Sequence, residues 1–194
     1  MNFAERLRQN IDSSIQAKRD LLANAECLSA FANAVGLVVD RYRGDGRLYI
    51  AGNGGSAADA QHLAAEFVSK LARDRGPLAA EALTVDSSIL TAIGNDYGYD
   101  LVFARQIAGK MTSRDVFLGI TTSGRSPNIV KALQQCRSMS IPTIVFTGRD
   151  GGDVRELADH CIIVPGAATS TIQELHIVLE HTLCECVESL LFAD

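Results

Sequence analysis

Hydrophobic residues in the first 43 positions recur at helical spacing. Phe3, Leu7, Ile11 and Ile15 follow one another at steps of four, which places them on one face of an α-helix. The stretch CLSAFANAVGLVVDRY has a similar helical character, and the two glycines of RGDG at 43–46 then interrupt the pattern. The pattern predicts two helices before the first strand.

After residue 46 the pattern changes to short apolar runs separated by helical stretches of roughly 10–18 residues. These runs cover 47–52, 79–85, 115–121, 142–148 and 160–166. Continuous apolar runs of this kind are typical of parallel strands that are buried on both faces. Five of them alternating with helices predict an α/β fold, with a doubly wound five-stranded parallel sheet preceded by the two helices. The segment 170–192 is expected to form a long last helix with an apolar stripe, made of Ile172, Leu175, Val178, Leu179 and Leu183.

Composition limits the class of protein. The chain has 194 residues, 47% hydrophobic and 21% charged, without a repeat or a linker, so we predict one domain over 1–194 with a helical extension at 1–43. The net charge of −5 and the absence of a basic run argue against a nucleic-acid partner. No stretch has the ~18 apolar residues of a membrane span, and the charged first segment does not resemble a signal peptide. The five cysteines are not spaced as in a zinc cluster, and we expect them to be reduced thiols. Together these features predict a cytoplasmic protein.

Ligands of parallel α/β sheets bind beyond the carboxyl ends of the strands, and the first strand is followed there by GNGGS. Gly52, Gly54 and Gly55 permit a tight turn and a close approach to a ligand, and Ser56 is expected to cap the following helix. Free N–H groups at such a helix start favour an anion. The loop is neither GxGxxG nor a P-loop, so neither a dinucleotide nor a nucleoside triphosphate is indicated. A purely structural turn explains it equally well.

The third run leads into TTSGRSPNIV, a loop rich in hydroxyl groups. Ser126 followed by Pro127 is typical of an N-cap and the first helical position. Hydroxyls and free amides at a helix start suit a phosphate monoester, and we favour this reading over an ordinary Ser/Thr loop. Arg125 adds a positive charge that would aid phosphate binding. The four hydroxyls belong to Thr121, Thr122, Ser123 and Ser126.

Two other loops are less informative. Asn95, Asp96 and Gly98 follow the second run and are expected to form a polar kink, which a plain turn explains equally well. The glycines of TGRDGGDV, after the fourth run, are expected to form a turn before a short helix.

His62 and Glu66 lie four residues apart on the helix that begins at the glycine loop, so they share one face. His176 and Glu180 have the same spacing, and a surface pair or a satisfied interior pair is expected there. Gln173 and His181 are two turns apart, about 12 Å along a helix. A metal shared between them is therefore not required by the spacing.

Several motifs in order resemble the sugar isomerase (SIS) domain family, specifically its phosphoheptose isomerase members. They are GNGGSAADAQHLAAEF, LTAIGNDYGYD, TTSGRSPNIVKAL, FTGRDGG and IQELHIVLEH. The resemblance covers nearly the whole chain. It implies a homotetramer with active sites at subunit interfaces. It also implies conversion of sedoheptulose 7-phosphate to D-glycero-D-manno-heptose 7-phosphate through an enediol, the first step of bacterial heptose synthesis for lipopolysaccharide and related glycans.

The resemblance also assigns roles to residues. It implies one zinc ion per subunit. For the enediol chemistry we assign Glu66 as the base and His181 as the acid/base at the substrate oxygens. Since a carboxylate bound to zinc is a weaker base, Glu66 either alternates between the two roles or the metal mainly organises the site. The implied zinc ligands are His62, Glu66, Gln173 and His181. The implied substrate contacts are Asn53, Gly54, Gly55, Ser56, Glu66, Asn95, Asp96, Thr121, Thr122, Ser123, Ser126 and Gln173.

One segment departs from the family. Many members carry an acidic residue and an Arg or Lys shortly before the Ile-Gln pair, whereas GAATSTIQ at 166–173 has neither. An isomerase of another sugar phosphate therefore remains an alternative. A non-catalytic relative binds the bacterial replication initiator, but it lacks the glutamate and the last histidine. Glu66 and His181 favour the enzyme.

Overall fold

The structure is a computed structural model, and it describes residues 2–192. Seven α-helices and five strands alternate after an all-helical start. The helices are α1 (Phe3–Ala23), α2 (Ala25–Arg43), α3 (Gly55–Val68), α4 (Ser87–Tyr97), α5 (Val102–Lys110), α6 (Pro127–Ser138) and α7 (Thr169–Leu191). The strands are β1 (Leu48–Gly52), β2 (Ala80–Ala82), β3 (Val116–Thr121), β4 (Thr143–Gly148) and β5 (His160–Val164).

The five strands form one parallel sheet in the order β2-β1-β3-β4-β5. The chain moves from β1 outward to β2 and then crosses back to β3 on the other side of β1. Connections therefore leave the carboxyl ends of β1 and β3 in opposite directions, which opens a crevice between the two loops. This arrangement confirms the predicted fold and places the glycine loop beside the hydroxyl loop.

Alternating residues of the central strands enter two separate hydrophobic cores. On β1, Leu48 and Ile50 join the core beneath α1, α2, α3 and α7. Tyr49 and Ala51 join the core beneath α5 and α6. This is the period of two that a strand imposes on its side chains. Helices thus cover both faces of the sheet, which explains why the strands read as unbroken apolar runs.

The two long amphipathic helices at the ends of the chain differ in what covers them. On α7, four of the five predicted stripe residues are buried in the core of the same chain, and Val178 is the exception at 41% exposure. On α1, the whole predicted stripe is exposed, from 81% at Phe3 to 42% at Ile15. The α7 stripe therefore belongs to this chain's own core, whereas the described residues do not cover the α1 stripe.

Several local expectations are corrected or confirmed. The second strand is shorter than 79–85, because the chain turns after Leu83 donates its amide to Ile50 O at 2.8 Å and Asp86 then caps α4. The strand expected at 160–166 ends at Val164. All five cysteines are free, and three are buried. Within residues 2–192, no helix is by itself long and apolar enough to span a membrane; α1 and α2 meet that criterion only as a pair bent by 78°.

Candidate active site

The glycine loop after β1 requires glycine for backbone and packing reasons. Gly54 has φ of 57°, a conformation that favours glycine. A Cβ at Gly52 would lie 2.3 Å from the carbonyl oxygen of Ser56, so no side chain fits there. The expected cap is wrong: α3 begins at Gly55, its N-cap is Gly54, and no side chain caps it. No side chain accepts from the first turn of α3, where the amides of Ser56 and Ala57 donate to Asn53 O and Gly54 O at 3.1 Å. The positive end of the α3 dipole still favours an anion at this loop.

The hydroxyl loop after β3 is closed by a contact within itself. Ser126 is the N-cap of α6 and Pro127 is at the first position, as predicted, but the Ser126 hydroxyl does not cap the helix. It lies 3.2 Å from Thr121 Oγ1. Gly124 has φ of 67°, and a Cβ there would meet Gly151 O at 2.0 Å. The backbone of the loop after β4 therefore packs directly against the hydroxyl loop.

A pair of amides joins the two loops. Asn53 Nδ2 donates to Asn128 Oδ1 at 2.9 Å, and Asn128 Nδ2 donates back to Asn53 Oδ1 at 2.8 Å. Tyr99 Oη also approaches Asn53 Oδ1, at 3.4 Å. The sequence argument missed Asn128, which directly follows the Ser-Pro dipeptide at the start of α6. This reciprocal pair fixes the glycine loop relative to the hydroxyl loop.

Between these loops lies a cavity of about 210 Å³. Gln173 reaches it from α7, and its Nε2 lies so close to Gly55 that a Cβ there would be only 2.2 Å away. Thr169, at the start of α7, is a lining residue that the sequence argument did not identify. The full lining is Asn53, Gly55, Ser56, Ile120, Thr121, Thr122, Ser126, Thr169 and Gln173. Seven of the nine were expected substrate contacts, and most are hydroxyl, amide or glycine residues.

Some expected contacts lie elsewhere in this chain. Asn95 and Asp96 are in the last turn of α4 rather than in a kink; they are exposed and bond to each other at 2.7 Å. Ser123 Oγ accepts the amide of Arg125 and does not line the cavity. The Arg125 guanidinium pairs with both carboxylate oxygens of Asp150, at 2.9 and 2.6 Å. Its charge is therefore neutralised locally rather than offered to a phosphate, contrary to expectation.

A second group of polar side chains lies where α3 packs on α7. His62 Nε2 and His181 Nε2 are 2.9 Å apart, and the two rings meet edge to face. Glu66 Oε1 lies 3.7 Å from His62 Nε2. The structure thus brings together three of the four residues expected to bind zinc, and Gln173 lies toward the cavity. In the described part of the chain, no group of three or more His, Cys, Asp and Glu side chains is already arranged to hold a metal ion.

The second His–Glu pair is neither a surface pair nor a satisfied one. His176 and Glu180 are both 0% exposed, and none of their four side-chain polar atoms has a hydrogen-bond partner among the described residues. Burial raises the pKa of Glu180 to about 8, and the nearby Asp59 carboxylate adds to this effect. Burial lowers the pKa of His176 to about 4. Both side chains are therefore neutral near pH 7.

Comparisons with known proteins agree with this geometry. The SIS domain family profile matches residues 13–148. A phosphoheptose isomerase of Aneurinibacillus thermoaerophilus is 46% identical over 186 residues, which are 96% of this chain and 94% of that protein. The structure of a phosphoheptose isomerase from Neisseria gonorrhoeae has a TM-score of 0.91 at 40% identity, covering 97% of this chain and 100% of that chain.

A phosphoheptose isomerase structure from Francisella tularensis has a TM-score of 0.92 at 34% identity, with the same coverage of 97% and 100%. The family profile spans most of the chain, and relatives of high identity span nearly all of it. The chain therefore belongs to the SIS domain family, among its phosphoheptose isomerases.

Proposed function

We propose that this protein isomerises sedoheptulose 7-phosphate to D-glycero-D-manno-heptose 7-phosphate, the first step in making bacterial heptose precursors for lipopolysaccharide and related glycans. One observation carries the proposal: α3 and α7 jointly border the polar cavity at one end and bring His62, Glu66 and His181 together further along. Gln173 marks the cavity end of α7, and His181 follows two turns later, about 12 Å along the axis. A sugar with its phosphate at one end and its reacting carbons at the other matches this separation.

The cavity suits the phosphate end of the substrate. The positive end of the α3 dipole and the hydroxyls of Thr121, Thr122 and Ser126 border a space whose lining contains no carboxylate. The Asn53–Asn128 amide pair holds the two sides at a fixed separation. Binding of the phosphate there positions the distant carbons for reaction.

The reacting end needs one base at carbon and one acid/base at oxygen. In the proposed mechanism Glu66 removes a proton from C1, and His181 donates a proton to the C2 carbonyl oxygen, which gives the enediol. His181 then takes the proton from the C1 oxygen, and Glu66 returns a proton to C2. The C1 carbonyl forms and the aldose is complete, with all protons accounted for.

We propose zinc as the cofactor, one ion per subunit, which His62, Glu66, Gln173 and His181 would hold. Because a carboxylate bound to zinc is a weaker base, Glu66 would alternate between ligand and base, or the ion would mainly organise the site. Two imidazole nitrogens and a carboxylate are a donor set that zinc accepts. Nitrogens bound to one tetrahedral ion at ~2.05 Å lie about 3.3 Å apart, so the 2.9 Å pair needs to open only slightly. Gln173 joins the set on the family pattern alone, since its amide lies against Gly55 at the cavity end of α7. When bound, zinc supplies polarisation of the substrate carbonyl.

We propose a cytoplasmic homotetramer whose whole chain acts as one domain. The exposed apolar stripe of α1 supports the oligomer, because Phe3, Leu7, Ile11 and Ile15 form a contiguous helical face that this chain does not cover. The acidic net charge and the lack of a basic run support a small-molecule substrate rather than nucleic acid or a membrane.

An isomerase of another sugar phosphate is the second candidate, and the rim of the cavity favours it. The segment 166–173 contributes Thr169 and Gln173 to the lining but no charged group. The experiment measures kcat/KM for sedoheptulose 7-phosphate beside ketose phosphates of five and six carbons. A preference of at least about tenfold for the seven-carbon sugar supports the main proposal. A shorter ketose as the best substrate supports the alternative, and failure of all of them contradicts both.

A further inference from the structure

The carboxyl end of α3 is held by a buried arginine. Like every helix, α3 ends with carbonyl groups that lack intrahelical partners. Arg75 Nη2 donates to Glu66 O at 3.0 Å, and Arg75 Nη1 donates to Phe67 O at 2.6 Å. A guanidinium in this place both satisfies the carbonyls and meets the negative end of the helix dipole. One of the two carbonyls belongs to the proposed base itself.

Arg75 is fixed in turn by the last helix. Its Nε and Nη2 lie 3.0 and 2.9 Å from Glu188 Oε1, and both side chains are 1% exposed. The guanidinium also lies 5.8 Å from the ring centre of Phe192. Arg75 therefore joins the end of α3 to the far half of α7.

Glu188 binds the intervening loop as well. Its two carboxylate oxygens accept the amides of Leu71, Ala72 and Arg73 at 3.1, 3.2 and 3.3 Å. Glu188 is seven residues after His181, which is two turns along the same face of α7 and about 10 Å along the axis. One continuous hydrogen-bonded path thus runs from the main chain of Glu66, through Arg75, to the helix that carries His181.

We propose that Arg75 is a positioning residue for the isomerase reaction: it holds Glu66 in register with His181 by joining α3 to α7. The inference rests on the proposed function. A planar guanidinium is needed because one group must serve two carbonyls and a carboxylate simultaneously, and the lysine ammonium does not offer that fork. The phosphate cavity lies at the other end of α3, so substrate binding is outside its influence.

The test compares kcat, KM and Tm in the wild type, in Arg75→Lys and in Ile107→Ala, with sedoheptulose 7-phosphate as the substrate. Arg75→Lys is expected to lower kcat about 10- to 100-fold, because a displacement of ~1 Å at a reacting group has that effect. Its KM is expected to stay within about threefold, since the cavity is intact. Lys110 Nζ and Glu81 Oε1 form an ion pair at 2.6 Å, and this pair lies away from the site. Glu81→Gln removes the pair and is the matched control, which is expected to leave both constants unchanged.

Ile107→Ala separates positioning from stability. Ile107 is fully buried in the core beneath α5 and α6, so its truncation is expected to lower Tm by opening a cavity away from the site. The proposal predicts that kcat falls in Arg75→Lys but stays at the wild-type value in folded Ile107→Ala. Wild-type kcat in folded Arg75→Lys, or an equal loss of kcat in Ile107→Ala, overturns the positioning role. Absence of turnover in the wild type instead overturns the proposed function, and the positioning role with it.

Discussion

His62 and His181 face each other through their Nε2 atoms at 2.9 Å, although 119 residues separate them in the chain. Two imidazole nitrogens approach this closely only if the N–H of one donates a hydrogen bond to the other, or if a cation lies near both. The contact joins the first helix after the glycine loop to the last helix of the fold. It therefore marks the point where α3 and α7 bring the proposed catalytic residues together.

Removing either proposed proton-transfer group is expected to stop turnover without unfolding the chain. We expect Glu66→Gln and His181→Ala each to lower kcat by at least about 10²-fold, the usual contribution of a positioned acid or base. Steady-state kinetics and circular dichroism measure the two properties. His160→Ala is the control, because this histidine begins β5 and has no proposed role. Near-normal kcat in either variant would remove that residue from the mechanism.

A methyl group at Gly55 tests the position of Gln173. A Cβ at position 55 would lie 2.2 Å from Gln173 Nε2, so Gly55→Ala must push the Gln173 amide aside. The obstacle is the end of a flexible side chain, so we expect the fold to persist and kcat/KM to fall at least about tenfold. Gly109→Ala on α5 meets nothing within 4 Å and is expected to keep full activity. Wild-type kcat/KM in Gly55→Ala would show that the position of Gln173 is unimportant.

Stability is expected to fall between pH 6.5 and 8 because of Glu180. Burial raises the pKa of Glu180 from 4.5 to about 8, so in this range the native chain retains a proton that the unfolded chain has lost. Below pH 6.5 the lowered pKa of His176 has the opposite effect on stability, because there the unfolded chain binds the extra proton. The expected loss over 1.5 pH units is about 2 kcal/mol.

Urea unfolding at pH 6.5 and pH 8, with a chelator present, measures this loss. Glu180→Gln keeps the shape of the side chain but cannot ionise, so its stability is expected to change much less over the same interval. An equal decline in the wild type and the variant would assign the effect to other groups.

The exposed stripe of α1 is expected to hold subunits together. Ile11 is 49% exposed, and a charge there would be buried on assembly. We expect Ile11→Glu to shift the protein from tetramers to smaller species in light scattering coupled to size-exclusion chromatography. Gln9→Glu adds the same charge on the exposed opposite side of α1 and is expected to leave the tetramer intact. An unchanged mass for Ile11→Glu would exclude this face from the interface.

Local patterns were sufficient to predict the elements, but not their surroundings. Apolar runs and glycine breaks predicted all five strands and α1, α2 and α7, because burial in a parallel sheet requires such runs. The spacing of four residues is identical in His62–Glu66 and His176–Glu180, yet the first pair is partly exposed and the second fully buried. Which face of a helix meets the core depends on tertiary packing, which the spacing does not encode.

Long-range pairings were also beyond the sequence argument. The amides of Asn53 and Asn128 are 75 residues apart in the chain, and only the crossover from β1 to β3 brings them together. The pairing of Arg125 with Asp150 likewise depends on two neighbouring loops at one sheet edge. The cavity lining was largely predictable because strand ends locate it, whereas the contacts that hold it rigid were not.

The most direct measurement is isomerisation of sedoheptulose 7-phosphate in D2O, followed by NMR, with and without a chelator. The proposed mechanism predicts a heptose 7-phosphate that carries deuterium at C2, because Glu66 exchanges its proton with solvent before returning one. It also predicts that chelation stops the reaction and that added zinc restores it. A heptose product without deuterium at C2 would contradict Glu66 as a solvent-exchanging base, and no product with zinc present would contradict the proposed substrate.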